Sequence, residues 1–395
     1  MKATVIHRSF KEMGGAERVA LATMAALQEM DFKVTLVTIH KPDFNDIKKR
    51  YGIDLEINKV RFVLPSYIDL SGWPIHFQAL PPILTLASCS TLRADIIINT
   101  HAEIPLPYCT LTLPYSTPNG APLISYIQDL PTHQLCSMRK YPSRYGSSAL
   151  WKLYFTSYRL VLGSAFDALE RYAIGKGLII TNSEFTKRAM KSLYPEIEPV
   201  VIPPPVDVKK FTPVLNSDVR KGRVLIIARI HPEKRLENAI ELARLLPEHI
   251  KFTVAGTYSA SEHITHYYER LNGIIRRYGL EGRFEIRTNV SHSKLLELMA
   301  ESDIYFHPKP SEAFGIAIVE AMAAGLMPVV PDCGGQTEFV PRRFQYHTIA
   351  DAVAIVEKCI GASKSERCSI SGVAGRFSEE EFKSRMKQAI SSAIG

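Results

Sequence analysis

The sequence predicts an α/β fold with two Rossmann-like domains that face an interdomain cleft, and three observations support this prediction. Short runs of β-branched and aliphatic residues alternate with helical patterns along the chain, which is typical of parallel sheets. A proline-rich segment, residues 199–207, interrupts the alternation, and the pattern then restarts. The length of 395 residues agrees with two or three domains at about 150 residues each.

The individual elements follow from local patterns. Apolar runs bounded by turn residues predict strands, and apolar residues at helical spacing predict helices. The strands predicted in the first half are Ala3–His7, Lys33–Val37, Ile96–Thr100, Leu123–Tyr126 and Leu178–Thr181, with helices at Ala16–Met30 and Trp151–Ile174. Those predicted in the second half are Val224–Ala228, Phe252–Ala255, Phe284–Thr288, Ile304–His307 and Met327–Val330, with helices at Leu236–Leu246, Ile264–Tyr278, His292–Glu301, Ile316–Ala324 and Ala350–Ile360.

The proline-rich segment sets the predicted domain boundary, because we interpret it as a stiff, extended connector. We expect an N-terminal domain over residues 1–200 and a C-terminal domain over residues 201–375. Within residues 376–395, the amphipathic pattern of Glu379–Ile394 predicts a helix that crosses back to the N-terminal domain. Open α/β sheets bind ligands beyond the carboxyl ends of their strands, so we expect the binding site where two such edges face each other.

The composition excludes disorder, and the distribution of charge argues against a nucleic-acid-binding protein. Hydrophobic residues make up 46% and charged residues 22% of the chain, as in ordinary globular proteins. The formal charge is +8, but residues 130–195 alone hold 10 Lys or Arg against 3 Asp or Glu. The excess is therefore local, which favours one site for an anionic partner over a general affinity for nucleic acid.

The cysteines and the uncharged segments indicate which cellular compartment to expect. The six cysteines contain no Cys-x-x-Cys pair, and we expect free thiols in a reducing, cytoplasmic environment. The apolar run at the N-terminus is too short for a signal peptide. Residues 70–92 and 104–128 lack charged side chains, but their prolines are incompatible with a membrane-spanning helix. A shallow contact with a membrane surface stays open.

A glycine pair follows the first predicted strand. Gly14 and Gly15 stand directly before a predicted helix. Glycine lets the backbone approach a ligand closely, and the N-terminus of a helix favours anions. A tight turn between strand and helix explains the pair equally well.

Two cations follow the first strand of the second half. Arg229 and Lys234 stand between that strand and the next helix, at the edge where ligands are expected. Together they could neutralise a diphosphate, with arginine the more suited to bidentate contacts. The alternative is a solvated, charged loop.

The most informative segment is 307–325, which holds Glu312 and Glu320. On one continuous helix, eight residues would separate them by roughly 80°. We therefore place Glu312 in a loop and begin the helix near Gly315, so that Glu320 lies in its second turn. The amides of Phe314, Gly315 and Ile316 would then be available for phosphate or sugar hydroxyls. Two surface glutamates are the alternative.

These residues carry a family resemblance that covers nearly the whole chain. Glu312 and Glu320, with Phe314-Gly315 between them, resemble the E-x7-E signature of retaining glycosyltransferases of family 4, which have the GT-B fold. Other segments resemble further motifs of that family in the expected order. They are Gly14–Glu17, Asn182–Thr186, Pro204–Asp207, the pair Arg229 and Lys234, Gly325–Val330 and Gly334-Gly335.

The resemblance implies a role for each site residue. Arg229 and Lys234 would hold the diphosphate of a nucleotide sugar. Glu312 would bind the donor sugar, with the amides at the helix start close by, and Glu320 would bind the ribose hydroxyls. Gly14 and Gly15 would approach the donor phosphates and the acceptor from the other side. The family resemblance also implies transfer with retention and without a bound metal, the two cations and the helix dipole stabilising the leaving diphosphate.

Less specific similarities to a subgroup of the family indicate which substrates to expect. Residues 126–132, 151–155 and 311–320 are similar to those of family members that add α-1,2-linked mannose to lipid-linked oligosaccharides for asparagine-linked glycosylation. This similarity implies GDP-mannose as donor and a polyprenyl-linked glycan as acceptor, at the cytosolic face of a membrane.

Gln128 departs from the family pattern. Many members have a histidine after the strand that matches Leu123–Ile127, whereas this chain has Gln128, a candidate contact of the donor sugar or the acceptor. Glutamine can donate a hydrogen bond but cannot carry a proton at neutral pH, so its role would be positioning. His101 and His133 are candidates to compensate, although a lone histidine is more often structural.

A basic, aromatic segment supports a lipid acceptor. Arg139, Lys140 and Arg144 precede Trp151 and further aromatic and apolar residues. Basic side chains next to tryptophan and tyrosine suit the interface of an anionic membrane. The alternative is a core helix with a solvated basic face.

Two competing hypotheses stay open. The first keeps the fold but uses a UDP-sugar and a soluble or different lipid acceptor. The second is a non-catalytic protein that binds sugar nucleotides or nucleic acid, which the intact acidic and basic motif residues disfavour. The sequence predicts no oligomeric state.

Overall fold

The computed structural model describes residues 1–10, 14–65, 93–100, 120–128, 177–216, 222–259 and 262–395. The chain divides into two compact units. The first comprises Met1–Pro205 and Glu380–Gly395, and the second comprises Val206–Glu379. The chain therefore passes between the units twice, once after Pro205 and once after Glu379.

The first unit is built on a parallel sheet flanked by helices. Its strands are β1 (Lys2–Ile6), β2 (Lys33–His40), β3 (Lys59–Leu64), β4 (Ile96–Asn99), β5 (Leu123–Ile127), β6 (Leu178–Thr181) and β7 (Val200–Val201). Its described helices before the first crossing are α1 (Gly15–Gln28), α2 (Phe44–Tyr51) and α3 (Glu184–Leu193). Within the described part of the unit, the strand order is β3-β2-β1-β4-β5-β6-β7.

The central strands of this sheet are apolar on both faces. Val5 of β1 pairs with Leu36 of β2 on one side and with Ile98 of β4 on the other. All three side chains are fully buried. Helices cover both faces of such a sheet, which explains why these strands are continuous apolar runs rather than alternating patterns.

The second unit repeats the architecture. Its strands are β8 (Arg223–Ile227), β9 (Lys251–Gly256), β10 (Phe284–Thr288), β11 (Ile304–Phe306), β12 (Met327–Pro331) and β13 (Gln345–Tyr346). Its helices are α4 (Val208–Phe211), α5 (Glu237–Leu245), α6 (Glu262–Arg277), α7 (His292–Ala300), α8 (Ile316–Ala323), α9 (Ile349–Cys359) and α10 (Lys364–Ala374), and α11 (Glu379–Ile394) follows. The strand order is β10-β9-β8-β11-β12-β13.

Both strand orders fix the position of a ligand site. In each unit the chain builds the sheet outward in one direction and then returns to continue on the other side of its first strand. The reversal lies between β1 and β4 in the first unit and between β8 and β11 in the second. In doubly wound sheets the crevice at this reversal is where ligands bind. The two parallel, Rossmann-like sheets confirm the predicted fold class.

The proline-rich segment is only partly a connector. The sequence predicts an extended linker over residues 199–207, but Val200 and Val201 form β7 and pair with Ile180 and Thr181 of β6. An extended backbone next to an exposed sheet edge can satisfy its amides by adding a strand. The prediction was therefore wrong for these two residues, and the crossing between units follows Pro205.

Helix α11 packs in the core of the first unit. Phe382, Met386 and Ile390 recur at a spacing of four and are buried against the sheet. The Phe382 ring meets the ring of Tyr126 edge-on, with centroids 6.1 Å apart. On the outer side, Lys383 Nζ lies 2.6 Å from a carboxylate oxygen of Glu29. The apolar stripe is thus what ties the end of the chain to this unit.

We expect Phe382→Ala to destabilise the first unit strongly, because it leaves a cavity beside the Tyr126 ring. Large-to-small changes of this kind cost about 3–5 kcal/mol. The matched control is Arg385→Ala on the same helix, since its exposed pair with Glu381 contributes at most about 1 kcal/mol. Chemical denaturation of both variants measures the difference, and equal effects would contradict the packing described.

Candidate functional site

Charged side chains gather at the carboxyl edge of the second sheet, where its strand order reverses. Arg229 follows β8, and His307 follows β11, the neighbouring strand. Arg229 is exposed and His307 is buried. Because the two strands are parallel neighbours, residues far apart in sequence meet at one edge.

A short turn positions Lys234. After β8, residues Pro232–Lys234 form one turn of 3-10 helix, with His231 as its N-cap residue. A ring nitrogen of His231 accepts a hydrogen bond from the Glu233 amide at 3.3 Å. Arg235 ends the turn in the left-handed conformation, with φ of 52°. The turn brings Lys234 Nζ to 2.9 Å from Glu312 Oε2.

Glu312 lies in a loop held against a second, glycine-rich loop. The Glu312 loop is residues 308–315, and the glycine loop is residues 332–335. Glu312 forms an isolated parallel bridge with Gly334, and its carbonyl accepts a hydrogen bond from the Gly335 amide at 2.8 Å. Gly334 has φ of 114°, and a Cβ on Gly335 would lie 2.0 Å from the Ala313 carbonyl oxygen. Only glycine permits this approach of the two backbones.

Three nitrogen atoms converge on one carboxylate oxygen. The closest contacts of Glu312 Oε2 are Lys234 Nζ at 2.9 Å, Lys309 Nζ at 3.3 Å and His307 Nε2 at 3.5 Å. The Glu312 side chain is only 17% exposed. A carboxylate this withdrawn from water needs compensating donors and charges, and this cluster supplies them.

The same contacts set the protonation states. Burial alone would raise the pKa of Glu312, but Lys234, Lys309 and His307 outweigh it and hold this pKa well below its ordinary value. Burial also lowers the pKa of His307, against the attraction of Glu312. At neutral pH the site therefore combines an ionised carboxylate, a neutral imidazole and two lysines.

Helix α8 begins directly after the Glu312 loop. Gly315 is its N-cap residue with φ of 99°, and the helix starts at Ile316 as the sequence predicts. Phe314 anchors this start, because its ring is buried against Phe339 and Phe377 with centroids 5.1 and 5.3 Å away. The first amides of an α-helix have no acceptor within the helix.

Glu320 lies in the second turn of α8. Burial raises the pKa of the Tyr305 phenol, and the charges of Glu312 and Glu320 raise it further. Both carboxylates therefore act on one buried group. The structure brings Lys234 and Glu312 into contact, with Arg229 at the same edge of the sheet.

In the first unit, the glycine pair caps helix α1. The Gly14 amide donates to Glu17 Oε2 at 2.7 Å, and its carbonyl accepts from Tyr51 Oη at 2.8 Å. Gly14 is exposed and Gly15 is half-buried. The geometry supports the turn that the sequence offered as an alternative, while the contact of this pair with a ligand stays a prediction.

Gln128 belongs to a hydrogen-bonded ladder along the edge of the first sheet. Its side-chain amide nitrogen donates to the Thr100 carbonyl at 3.0 Å. Its backbone carbonyl oxygen accepts a hydrogen bond from Asn182 Nδ2 at 2.7 Å. The Thr186 hydroxyl donates to Asn182 Oδ1 at 2.7 Å. The ladder crosses the ends of β4, β5 and β6, so the position of Gln128 is fixed from both neighbours.

Comparison with family models identifies the chain. The model described as Glycosyltransferase Family 4 matches residues 13–210, which is half of the chain. The chain belongs to glycosyltransferase family 4. The model described as Glycosyl transferases group 1 matches residues 207–358, which include Lys234, Glu312 and Glu320.

Individual proteins are similar to this family member along most of its length. A GDP-Man:Man(3)GlcNAc(2)-PP-Dol alpha-1,2-mannosyltransferase from Candida glabrata is 28% identical over 319 residues, covering 73% of this chain and 59% of that protein. The protein of the same name from Dictyostelium discoideum is 22% identical over 425 residues, covering 96% of this chain and 82% of that protein. The chain thus spans about three fifths of the length of the first relative.

A solved structure is similar in fold. HepE from Anabaena, in complex with UDP, has a TM-score of 0.69 at 18% identity and covers 99% of this chain and 100% of that chain. At this identity the likeness concerns the fold alone, and it confirms the predicted GT-B class.

Part of the sequence prediction lies outside the described residues. Arg139, Lys140, Arg144 and Trp151 belong there, as do the candidate histidines His101 and His133. Among the helices that the structure describes, none is long and apolar enough to span a membrane.

Sequence reasoning missed three residues of this family member's site. His307 was assigned only to the end of a strand, Lys309 received no role, and Tyr305 was unnoticed. The signal was present, since Lys309 stands three residues before Glu312 and a histidine at a strand end is placed at the ligand edge. His307 and Lys309 meet on Glu312, and Tyr305 meets His307, through the fold of this segment, which no local pattern encodes.

We expect Gly335→Ala to lower the stability of the second unit by about 1–3 kcal/mol, as overpacking does, because the new methyl group would overlap the Ala313 carbonyl. Gly372→Ala is the matched control. It lies within helix α10 with open space around it and should be neutral or stabilising by up to about 1 kcal/mol. Thermal unfolding with hydrogen exchange at residues 312–316 measures both effects. Unchanged exchange in Gly335→Ala would contradict the close approach.

Proposed function

We propose that this protein is a retaining glycosyltransferase that moves mannose from GDP-mannose to a polyprenyl-linked glycan. Its membership of glycosyltransferase family 4 supports the reaction class. The names of the relatives from Candida glabrata and Dictyostelium discoideum support the sugar and the lipid-linked acceptor.

One observation carries the proposal, namely the contact between Lys234 and Glu312 at the reversal of the second sheet. Lysine has three donors, so Lys234 can bind a diphosphate oxygen and a carboxylate oxygen together. The ionised Glu312 can accept hydrogen bonds from sugar hydroxyls. The pair would therefore place the diphosphate and the sugar of the donor next to each other, across the bond that breaks.

The remaining residues complete the proposed donor site. Arg229 and the amides at the start of α8 would share the diphosphate, and Glu320 would accept from the ribose hydroxyls. In the transfer, the bond between the anomeric carbon and the diphosphate breaks, and a bond to an acceptor hydroxyl forms. The proton of that hydroxyl leaves with the diphosphate. Lys234, Arg229 and the helix dipole would stabilise the charge that develops there. No metal enters this scheme, and metal independence stays a prediction.

A second candidate is transfer from a UDP-sugar to another acceptor. We retain it because HepE, which has the same fold, was solved in complex with UDP. The phosphates and the sugar would meet the same residues, so the two candidates differ in the base and in the acceptor.

The donor is tested by thermal shift with GDP, UDP and ADP and their sugar conjugates. We expect the largest rise in melting temperature with GDP-mannose, since a ligand that binds only the folded state stabilises it. Mass spectrometry of a polyprenyl-linked glycan incubated with the preferred donor then identifies the added sugar. Stabilisation by UDP-sugars alone would overturn the mannosyl assignment.

Site variants test the roles of the charged pair. We expect Glu312→Ala and Lys234→Ala each to lower kcat/KM for transfer by roughly 10²-fold or more, because each removes a preorganised polar partner of the donor. Lys294→Ala is the matched control, since Lys294 forms only an exposed pair with Glu297 on helix α7. Full activity of Glu312→Ala would refute the site assignment.

We further propose that the protein works at the cytosolic face of a membrane, as a peripheral protein. The support is the sequence alone, through the basic residues Arg139, Lys140 and Arg144 and the neighbouring Trp151. Each basic residue near an anionic surface contributes about 1 kcal/mol of binding.

Vesicle binding tests this location. We expect Arg139→Glu/Lys140→Glu/Arg144→Glu to abolish co-sedimentation with vesicles that contain phosphatidylserine, while the wild type binds in a salt-sensitive way. The control reverses three exposed arginines of the second unit, Arg276, Arg277 and Arg342. Equal loss in the control would indicate a general charge effect and would contradict the proposed surface.

A further inference from the structure

His307 lies next to Glu312 and is held from both its backbone and its ring. Its amide donates to the Val329 carbonyl at 2.9 Å, and its carbonyl accepts from Tyr346 Oη at 2.8 Å. Its side chain is only 5% exposed. Tyr305 Oη lies 3.2 Å from His307 Nδ1, so the ring is also restrained on the side away from Glu312.

The two neighbours of the ring determine its tautomer. Tyr305 is fully buried, and burial raises its pKa well above the ordinary value, so the phenol keeps its proton and can donate a hydrogen bond to Nδ1. Nε2 then carries the hydrogen of the neutral imidazole. The opposite tautomer would point a lone pair at the Glu312 carboxylate, which is repulsive. We therefore assign the hydrogen to Nε2, facing Glu312.

This N–H has no hydrogen-bond acceptor yet. Nε2 is buried, and within the part of the chain that the structure describes it makes no hydrogen bond. Its distance of 3.5 Å to Glu312 Oε2 exceeds the usual range of about 2.7–3.2 Å. An unsatisfied buried donor is costly, so a small shift of the carboxylate towards His307 is favoured whenever other contacts release it.

A bound donor would share Lys234 with Glu312 and would so weaken, without breaking, the contact of this lysine with the carboxylate. In the described structure Lys234 Nζ and Lys309 Nζ lie closer to Oε2, at 2.9 and 3.3 Å, than His307 Nε2 does at 3.5 Å. A diphosphate carries more charge than a carboxylate and would draw both ammonium groups towards itself. His307 is neutral and its ring is restrained by Tyr305, so a bound diphosphate would not attract it away from Glu312. It remains the partner that keeps Glu312 in place.

We propose that His307 is a positioning residue for the donor sugar. When the donor phosphates engage Lys234, the Nε2–H of His307 takes over Glu312 Oε2, and the second carboxylate oxygen is thereby oriented to accept from a sugar hydroxyl. Tyr305 acts one step further out by fixing the tautomer. This inference rests on the proposed function, since it assumes that Glu312 binds the sugar of a nucleotide sugar.

The test compares the affinity for a nucleotide sugar with that for its nucleotide, by calorimetry on the full chain. A loss of structure weakens both ligands, whereas a loss of Glu312 positioning weakens only the sugar conjugate. We expect His307→Leu to reduce the preference for GDP-mannose over GDP roughly tenfold or more, with GDP binding unchanged. His307→Gln retains an N–H donor and should restore most of the preference. His249→Gln, at an exposed histidine remote from the site, is the control.

Tyr305→Phe provides a second, independent measurement. It keeps the aromatic ring but removes the hydroxyl, so Nδ1 loses this donor and Glu312 alone then favours the hydrogen on Nε2. We expect a smaller fall in the preference for the sugar conjugate, by severalfold. Should His307→Leu fail to fold, this variant decides, and a preference equal to that of the wild type overturns the proposal.

The outcomes separate this proposal from the proposed function. A wild-type preference for another nucleotide sugar refutes GDP-mannose only, and the same variants are then measured with that donor. A wild-type protein that binds no nucleotide sugar better than its nucleotide overturns both. If the wild type prefers GDP-mannose and His307→Leu keeps that preference, or loses both ligands equally, the proposed function stands and the role of His307 is refuted.

Discussion

The cost of withdrawing the Glu312 carboxylate from water governs the arrangement of this site. A carboxylate that is mostly buried is tolerated only where charges and donors meet it. Lys234 comes from the end of β8, whereas His307 and Lys309 follow β11. These groups reach one oxygen atom only because β8 and β11 are parallel neighbours at the point where the strand order reverses. The strand order of the sheet therefore determines which charged groups meet at this site.

The close contact between the Glu312 loop and the glycine loop also fixes the start of helix α8. Gly334 and Gly335 allow the glycine loop to bond directly to the backbone of Glu312. Phe314, two residues further on, is buried between two other rings, and Gly315 then turns the chain into helix α8. The carboxylate and the free amides of the helix thus have a fixed relation to each other. A change in either loop would move both.

The sequence was sufficient where the chemistry lies in local runs, and insufficient where it depends on pairing. The central strands of both sheets, the start of α8 and the placement of Glu312 in a loop follow from patterns within a few residues, whereas β3, at one edge of the first sheet, is not among the predicted strands. Strands β7 and β13 have two residues each and exist only through a neighbouring strand. Helix α10 carries Ser, Cys and Gly in place of a clear apolar stripe, so no pattern indicated it. The contacts of His307 with Tyr305 and with Glu312 depend on how the chain folds after β11, and no local pattern predicts this.

The ladder at the edge of the first sheet limits the chemistry that Gln128 can supply. One N–H of its side-chain amide is engaged with the Thr100 carbonyl, so the second N–H and the side-chain carbonyl oxygen are what it can offer to a ligand. This oxygen accepts hydrogen bonds but neither gives nor takes a proton at neutral pH. In the proposed transfer, Gln128 can therefore orient a hydroxyl group but cannot act as its base. If the proton of the acceptor leaves with the diphosphate, as in the proposed scheme, the cations around the leaving group stabilise the charge that develops there.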